Sequence, residues 1–323
     1  MAKYEKVSQK IQEITISNPK NRSRIRWINI ANPGKEELEY LMRFKQYNFD
    51  FRELRASSAK VMAERPTVEK QDKYFFLTLH FPIFDGHKIA AAEINFFISH
   101  GLLVTLHTEK IKTINDFFNI CKKDEYSLLS YKLPSSSILL YELLKKLIEH
   151  CYQIMDQINA RLNDTEKLIF SGHQKKSVSE ILEMRRNIIA VRRIMLNHKN
   201  ILKKIMEMKS SIISSSKMVG YYTYLIEQTK RIWEFSESQK EVAEALHETN
   251  ESLLDNQTNN IMKTLTIFSV IVFPLSLLAG IFGMNTVTGM PFVDNPSGFW
   301  IIMSMMGIGT LGMIIYFKIK KWL

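Results

Sequence analysis

The chain has 323 residues, of which 46% are hydrophobic and 24% charged, and 44 Lys and Arg outnumber 33 Asp and Glu to give a net charge of +11. A basic balance can indicate nucleic-acid binding, but basic residues also crowd the cytoplasmic side of membrane proteins, near anionic lipid. Two long uncharged segments near the C-terminus favour the second explanation, so nucleic acid is not expected as a partner. No P-loop, HExxH or G-x-S-x-G motif occurs, which makes an enzyme the least expected class.

The first third of the chain carries the strand signals. Its opening residues contain no apolar run, so we expect no cleavable signal peptide there. β-Branched and aromatic residues concentrate in RIRWINIA, YFFLTLHFPIF (74–84), KIAAAEINFFIS (88–99) and LLVTLHT (102–108). The turn sequences FDGHK and SHG separate the last three stretches, which predicts an antiparallel meander. Helical periodicity is found at 34–47 and 111–123.

The middle of the chain is predicted to be helical. Serines in LPSSS can cap a helix start, and two long helices at 138–170 and 176–209, separated by SGHQKK, indicate an αα-hairpin. Between Tyr221 and Phe273 there is neither Gly nor Pro, so one long helix is expected. A seven-residue repeat along it suggests a seam for parallel copies of the same helix, formed by Leu225, Ile232, Leu246 and Leu253. Cys121 and Cys151 lack CxxC spacing and are expected to be reduced core cysteines.

Two uncharged segments, 264–283 and 299–317, are each long enough to cross a bilayer, because about 20 helical residues span its roughly 30 Å hydrocarbon core. Lys263 precedes the first segment and three lysines follow the second, whereas the connecting loop has no Lys or Arg. By the positive-inside rule we expect a multi-pass protein of the inner (plasma) membrane with both termini in the cytoplasm and the loop outside.

One side of the first span is small and hydroxylated. Its positions step by 3 and 4 and so share a helix face, which we call the polar seam. The polar seam consists of Asn259, Met262, Thr266, Ser269, Phe273, Ser276, Gly280 and Gly283. Small residues can simply allow close helix packing. Alternatively the seam lines a water-containing pore, in which Met262 and Phe273 are constrictions that gate by dewetting.

The end of the first span suggests an ion and a mechanism. Several copies of Gly283, Met284 and Asn285 around an axis would form a ring of neutral amide and carbonyl oxygens. Mg²⁺ prefers oxygen ligands and loses its water reluctantly, so a ring of Asn285 amides can hydrogen-bond to the hydrated ion and act as its metal-binding site. A membrane potential of about 100 mV contributes about 2.3 kcal/mol per elementary charge, which for a divalent ion is about 4.6 kcal/mol, directed inward.

At these residues the sequence resembles the CorA family of magnesium transporters. GMN closes the first of two C-terminal spans, and the similarity continues through NNIMKTLTI (259–267), FPLSLLAGIFGMN (273–285) and KIKKWL (318–323). The resemblance implies an α+β membrane protein that forms a homopentamer in the lipid bilayer, with an N-terminal cytosolic α/β/α funnel and a stalk helix that continues into the pore. It implies Mg²⁺, with Co²⁺, as the transported ion, and Mg²⁺ also as a regulator.

The resemblance also assigns residues. Carried over by position, the pore-facing residues are Asn259, Met262, Leu265, Ser269, Phe273, Ser276, Gly280, Gly283 and Asn285. This set nearly equals the polar seam, with Leu265 and Thr266 as alternatives at one level. The family's aromatic-acidic pair after the Asn is replaced by Thr286 and Val287, and Asp294 is the loop's one acid.

The resulting domain prediction has six parts. They are a cytosolic α/β/α domain with a helical hairpin at 1–215, a stalk helix at 216–260, a pore-lining transmembrane helix at 261–283, an extracytoplasmic loop at 284–297, a second transmembrane helix at 298–317 and a basic cytosolic tail at 318–323.

In the family an acid on the stalk helps to hold regulatory ions between subunits. Tyr224 occupies that position here, so feedback by cytosolic Mg²⁺ is expected to be weak or to use other acids, such as Glu227, Glu234 and Glu237.

Two alternatives stay open at this point. One is a zinc-type transporter of the same superfamily, although soft ions favour His or Cys and the predicted lining has neither. The other is a membrane-anchored scaffold or sensor without ion flux, which would need the stalk and spans but not the polar seam.

Overall fold

The computed structural model describes residues 2–17, 24–58, 65–123, 135–208, 212, 216–284, 291–292 and 295–322. The chain divides into two compact units, Met1–His247 and Glu248–Leu323. The first unit contains a mixed β-sheet with helices on both faces. The second contains the end of a long helix and one further helix, both apolar enough to cross a membrane.

The sheet of the first unit has seven strands within the described residues. They are β1 (Ala2–Lys6), β2 (Ile11–Ser17), β3 (Arg24–Ala31), β4 (Thr67–Lys70), β5 (Phe75–Asp85), β6 (Lys88–Ser99) and β7 (Leu102–His107), in the order β1-β2-β3-β7-β6-β5-β4. β3 and β7 pair in parallel, and the other neighbours pair antiparallel. The predicted meander β5–β6–β7 is confirmed. β1, β2 and β4 go beyond the prediction. β1 and β4 are short and contain Lys and Glu, whereas the β-branched residues of β2, which are Ile11, Ile14, Thr15 and Ile16, are a strand signal that the prediction missed.

Two short helices cover one face of the sheet, α1 (Lys35–Met42) and α2 (Phe51–Ala56). Their leucines pack into one apolar cluster with β3 and β7, formed by Leu38, Leu41, Leu54, Ile28, Ile30, Val104 and Leu106 among others. The helix predicted at 34–47 therefore ends earlier, at Met42, and a second helix follows it. The chain turns after Met42, where the amide groups of Arg43 and Phe44 donate to carbonyls three residues earlier.

The opposite face of the sheet is covered by α3 (Lys112–Lys123) and by a helical hairpin. The fully buried Trp27 contacts Phe117 and Phe118 of α3, at 5.7 and 4.8 Å between ring centroids. Its Nε1 donates to Thr105 on the neighbouring strand. Helices on both faces of one sheet give the α/β/α arrangement that the sequence predicts.

The hairpin is confirmed, and its second helix is interrupted. α4 (Ser136–Phe170) and α5 (Gln174–Met195) are antiparallel neighbours, and α6 (His198–Glu207) follows a break at Leu196 and Asn197. The break contains neither Gly nor Pro, so it left no signal in the sequence. Two ion pairs from Arg161 to Glu180 and Glu183, at 3.1 and 2.8 Å, join the hairpin.

A helix of 67 residues, α7 (Ser216–Phe282), confirms the long helix, and α8 (Gly298–Ile319) follows it. In the first unit α7 packs on the hairpin: the Gln239 side-chain amide donates to the Met155 carbonyl at 2.9 Å. Three members of the seven-residue repeat, Leu225, Ile232 and Leu246, are at most 8% exposed in the single chain. The expectation that these three form a seam between copies is therefore wrong, because α7 needs them to pack within its own chain.

Candidate ion pathway

The apolar part of α7 has no residue buried within the chain. Phe268, Phe273 and Leu277 are each at least 65% exposed. Apolar surface on this scale is costly in water, so lipid or further protein must cover it. Both this part of α7 and α8 are long and apolar enough to cross a membrane.

Each of these two helices has one face that is less exposed than the rest of its surface. On α7 a face of half-buried large apolar residues is formed by Ile267, Ile271, Leu275, Leu278 and Phe282. On α8 a matching face of half-buried or buried residues is formed by Ile302, Met306, Thr310, Met313 and Phe317. Ser269 and Val272 are the other half-buried residues between 264 and 283. We infer from the two half-buried faces that the helices pack on each other within the second unit.

The polar seam lies on the other side of α7. At 100° per residue, its centre is about 180° around the helix from the half-buried apolar face. All its members except Ser269 are exposed in the single chain, with Met262 at 55% and Phe273 at 69%. Leu265, the alternative to Thr266, is also exposed, at 57%. The seam is thus left uncovered by its own chain.

The seam offers oxygen atoms without charge. The Thr266 hydroxyl donates to the Met262 carbonyl at 2.8 Å, which directs its proton into the helix and leaves its lone pairs as acceptors. Acceptor oxygens suit the water shell of a hydrated cation, because the hydrogens of that water point outward. Asp, Glu, Lys and Arg do not occur from Thr264 to Gly283.

The glycines at the end of α7 have different roles. A Cβ at Gly283 would lie 3.0 Å from the Ala279 carbonyl oxygen, whereas one at Gly280 would meet nothing within 4 Å. The Gly283 amide donates to that same carbonyl at 2.9 Å and ends the helix. A side chain at position 283 would therefore need the end of its own helix to adjust slightly, whereas a glycine at position 280 costs about 1 kcal/mol relative to Ala and gains nothing inside the chain.

The predicted mouth is described only in part. Gly283 and Met284 lie directly after α7, and Met284 is 59% exposed. Asn285 lies outside the described residues, as do Thr286, Val287 and Asp294. The roles predicted for these residues stay predictions.

The acids of α7 named above as possible regulatory ligands have basic neighbours. Glu227 pairs with Arg231 at 3.6 Å, Glu234 with Lys230 at 3.3 Å, and Glu237 with Arg192 at 2.5 Å. Tyr224 is 43% exposed, and the Lys145 ammonium lies 5.9 Å from its ring centroid. Within the described residues, no three His, Cys, Asp or Glu form a group that could hold a metal.

Comparison with known proteins decides the family. A family model described as "CorA-like Mg2+ transporter protein" matches residues 22–321. The chain belongs to the CorA family. Members of this family are membrane ion transporters, so the chain is not an enzyme.

Named relatives and a solved structure agree with the CorA assignment. A cobalt/magnesium transport protein CorA of Thermotoga maritima is 25% identical over 92% of this chain and 83% of its own. One of Methanocaldococcus jannaschii is 24% identical over 98% of this chain and 96% of its own. The complete structure of the Methanocaldococcus jannaschii CorA magnesium transporter superposes with a TM-score of 0.83 at 21% identity, covering 100% of this chain and 98% of that one. The last match shows that the two chains share a fold.

Proposed function

We propose that this CorA chain carries Mg²⁺, and Co²⁺ as a second ion, into the cell down the membrane potential through a homopentameric pore. The observation that carries the proposal is the position of the polar seam on the side of α7 opposite the half-buried apolar face. One seam cannot enclose a pore, so several copies must bring their seams to a common axis. Five is the number that the resemblance to CorA implies.

The proposed pore has a mouth, a lining and constrictions. Gly283, Met284 and Asn285 form the mouth, where the Asn285 amide binds the hydrated ion. The lining consists of Asn259, Met262, Leu265, Thr266, Ser269, Phe273, Ser276 and Gly280. Met262 and Phe273 close the pore to water when the rings of these side chains meet.

The chemistry of this lining favours a hard cation. Its polar atoms are hydroxyl, amide and carbonyl oxygens, which suit Mg²⁺. Zinc binds more readily to His and Cys, and neither occurs in the lining. We therefore prefer magnesium over the zinc-type alternative. Family membership in turn supports ion flux over a scaffold role.

The proposed topology follows from the basic residues. Lys263 precedes the first span, and Lys318, Lys320 and Lys321 follow the second. We place both termini in the cytoplasm and the protein in the inner (plasma) membrane. The domain boundaries proposed above go with this topology: cytosolic domain 1–215, stalk 216–260, spans 261–283 and 298–317, loop 284–297 and tail 318–323.

Tyr224 occupies the stalk position where the resemblance implies an acid, so feedback by cytosolic Mg²⁺ is weak or uses other acids.

Ion competition in proteoliposomes tests the proposed ion preference. Purified protein is reconstituted with an internal Mg²⁺ indicator, and external Co²⁺ or Zn²⁺ is added at matched concentrations. We expect saturable Mg²⁺ entry that Co²⁺ inhibits more strongly than Zn²⁺, because the lining offers no soft ligand. Entry of Zn²⁺ in preference to Mg²⁺, measured with a zinc indicator, would support the zinc-type alternative instead.

A further inference from the structure

A cavity of about 1040 Å³ opens in the first unit, at the carboxyl ends of the two parallel strands. Asn32 and Pro33, which follow β3, line it, as do His107 and Thr108 at the end of β7. From β3 the chain continues to α1 on one face of the sheet, and from β7 to α3 on the other. Such a divergence between neighbouring parallel strands is a topological switch point, where open α/β sheets bind their ligands.

The floor of the cavity is polar and ordered. Asn95 is 3% exposed, and its Nδ2 donates to Glu93 Oε1 at 2.8 Å. The other Glu93 oxygen lies 3.5 Å from His80 Nε2. The His107 ring points to the other face of the sheet, where its Nε2 lies 3.0 Å from the Asn29 Oδ1 and Asn29 in turn donates to Asn115 of α3, so it adds no charge to the floor. The Asn95 Oδ1 already accepts from the Thr78 hydroxyl at 2.7 Å. The floor thus presents chiefly the Glu93 carboxylate, whose oxygens accept hydrogen bonds from N–H groups such as those at the edge of a nucleobase.

The walls of the cavity are apolar. Leu106 and Leu38 are buried, whereas Met42 and Phe51 remain 49% and 56% exposed at the opening. A large aromatic ring that stays exposed beside a cavity gains from a planar group stacked on it. The walls therefore suit a flat, largely apolar ring above a polar floor.

Three cations surround the opening, and each retains capacity for an anion. Lys10 lies 3.9 Å from a Glu37 oxygen and Lys35 lies 4.0 Å from Glu39, with the Lys35 side chain 92% exposed. Exposed pairs at such distances contribute little. Arg55 is exposed and has no ion pair within the described residues. Its guanidinium can bind a phosphate with two parallel hydrogen bonds.

The start of α1 does not supply the anion site. The Gly34 amide at its N-cap already donates to Glu37 Oε2 at 2.7 Å. The Glu37 carboxylate thus already caps the start of α1. Glu37, Glu39 and Glu93 equal the three cations in number, so the anion site depends chiefly on Arg55, which of the three cations has no ion pair within the described residues.

We propose that this cavity binds a nucleoside phosphate. The base lies between the walls, beside Phe51, with its N–H edge on Glu93 and Asn95, and the phosphates lie on Lys10, Lys35 and Arg55. None of these residues belongs to the polar seam, so the site is independent of the proposed ion pathway.

Calorimetric titration of the purified full-length chain tests the proposal, with ATP and ADP as probes in buffer that contains EDTA and no Mg²⁺. We expect saturable binding of one nucleotide per chain. Arg55→Gln should weaken binding about tenfold by removing a charge-assisted contact. Ser58→Trp, which places an indole in the cavity, should abolish it. Lys112→Gln, an exposed cation on α3 away from the cavity, should leave affinity unchanged.

Two further probes separate base recognition from charge alone. Adenosine and tripolyphosphate should each bind at least about tenfold more weakly than ATP, because each offers only half of the ligand. Tripolyphosphate binding as tight as that of ATP would overturn recognition of the base. ATP that fails to saturate at about 1 mM, or that binds Arg55→Gln as tightly as the unmodified chain, would overturn the site itself. Because Arg55 is exposed, we expect Arg55→Gln to fold, so this variant tests the site even where Ser58→Trp fails to fold.

Discussion

At the scale of single residues, Phe273 is the side chain on which closure of the proposed pore depends. It is 69% exposed on the polar seam, and Pro274 follows it inside the helix. Phe268 is 65% exposed on the same helix and lies about 140° around it from Phe273. The two phenylalanines have similar exposure in the chain and different proposed surroundings, which makes them a matched pair.

Phe273→Ala should raise the basal conductance several-fold, because a ring of small side chains no longer excludes water from the constriction. Phe268→Ala should leave conductance unchanged, since that side chain faces lipid or protein away from the seam. Both variants are measured by electrophysiology in planar bilayers at equal protein density. Unchanged or lower conductance in Phe273→Ala would show that Phe273 packs against neighbouring helices.

At Gly280 the polar seam can be tested by enlarging a side chain instead of shortening one. Gly280→Leu should strongly reduce Mg²⁺ uptake, because the added side chain meets nothing in its own chain and therefore projects into the pore or a neighbouring copy. Ala279→Leu adds comparable bulk about 100° away and should retain most uptake. Helix content by circular dichroism should be kept in both, since Leu has a better helix propensity than Gly. Normal uptake by Gly280→Leu would remove Gly280 from the pathway.

At the scale of elements, the sequence predicted the strands and helices that can be recognised from their own composition. The meander β5–β6–β7 is rich in β-branched and aromatic residues, and α7 lacks Gly and Pro over most of its length. The break at Leu196 and Asn197 has no such signal. Leu225, Ile232 and Leu246 have the spacing of a coiled coil, yet they pack within the chain. The prediction failed because periodicity identifies an apolar face without identifying its partner.

The candidate site shows the same limit. The stepping of small and hydroxylated residues was visible in the sequence. Which apolar residues of α7 are half-buried was not visible, because that depends on contacts outside the helix itself. The cavity beside Phe51 was not predicted either, since its lining comes from strands and helices far apart in sequence.

Single engineered cysteines can measure the orientation of α7 directly. Both native cysteines are buried, and burial raises the pKa of the Cys151 thiol, so neither should react quickly with a hydrophilic maleimide. Cysteines at Ser269, Ser276 and Gly280 should be labelled, whereas those at Ile271 and Leu278 should not, because a thiol reacts as the thiolate and needs water. Labelling is followed by mass shift in membranes. Reactivity without this periodicity would contradict a hydrated seam.

At the scale of the whole molecule, the proposed transport requires more than one chain. The first unit buries its own core, whereas the apolar part of α7 has no residue buried within the chain. Lipid can cover the apolar residues, but the polar seam gains most from a shared, hydrated axis. The proposed homopentamer supplies that axis. A ring of Asn285 amides at its outer end then becomes the point where a hydrated ion is first held.

Mg²⁺ uptake into proteoliposomes under an inside-negative potassium diffusion potential, compared between the unmodified chain and Asn285→Ala, tests this account most directly. We predict saturable uptake by the unmodified chain that increases with the potential, and at least about a tenfold loss in Asn285→Ala, because the hydrated ion loses its oriented partner. Asn260→Ala, on the side of α7 away from the seam, should transport normally. Both variants must show the same size-exclusion profile as the unmodified protein. Undiminished uptake by well-folded Asn285→Ala would contradict the assignment of the mouth and of the pore behind it.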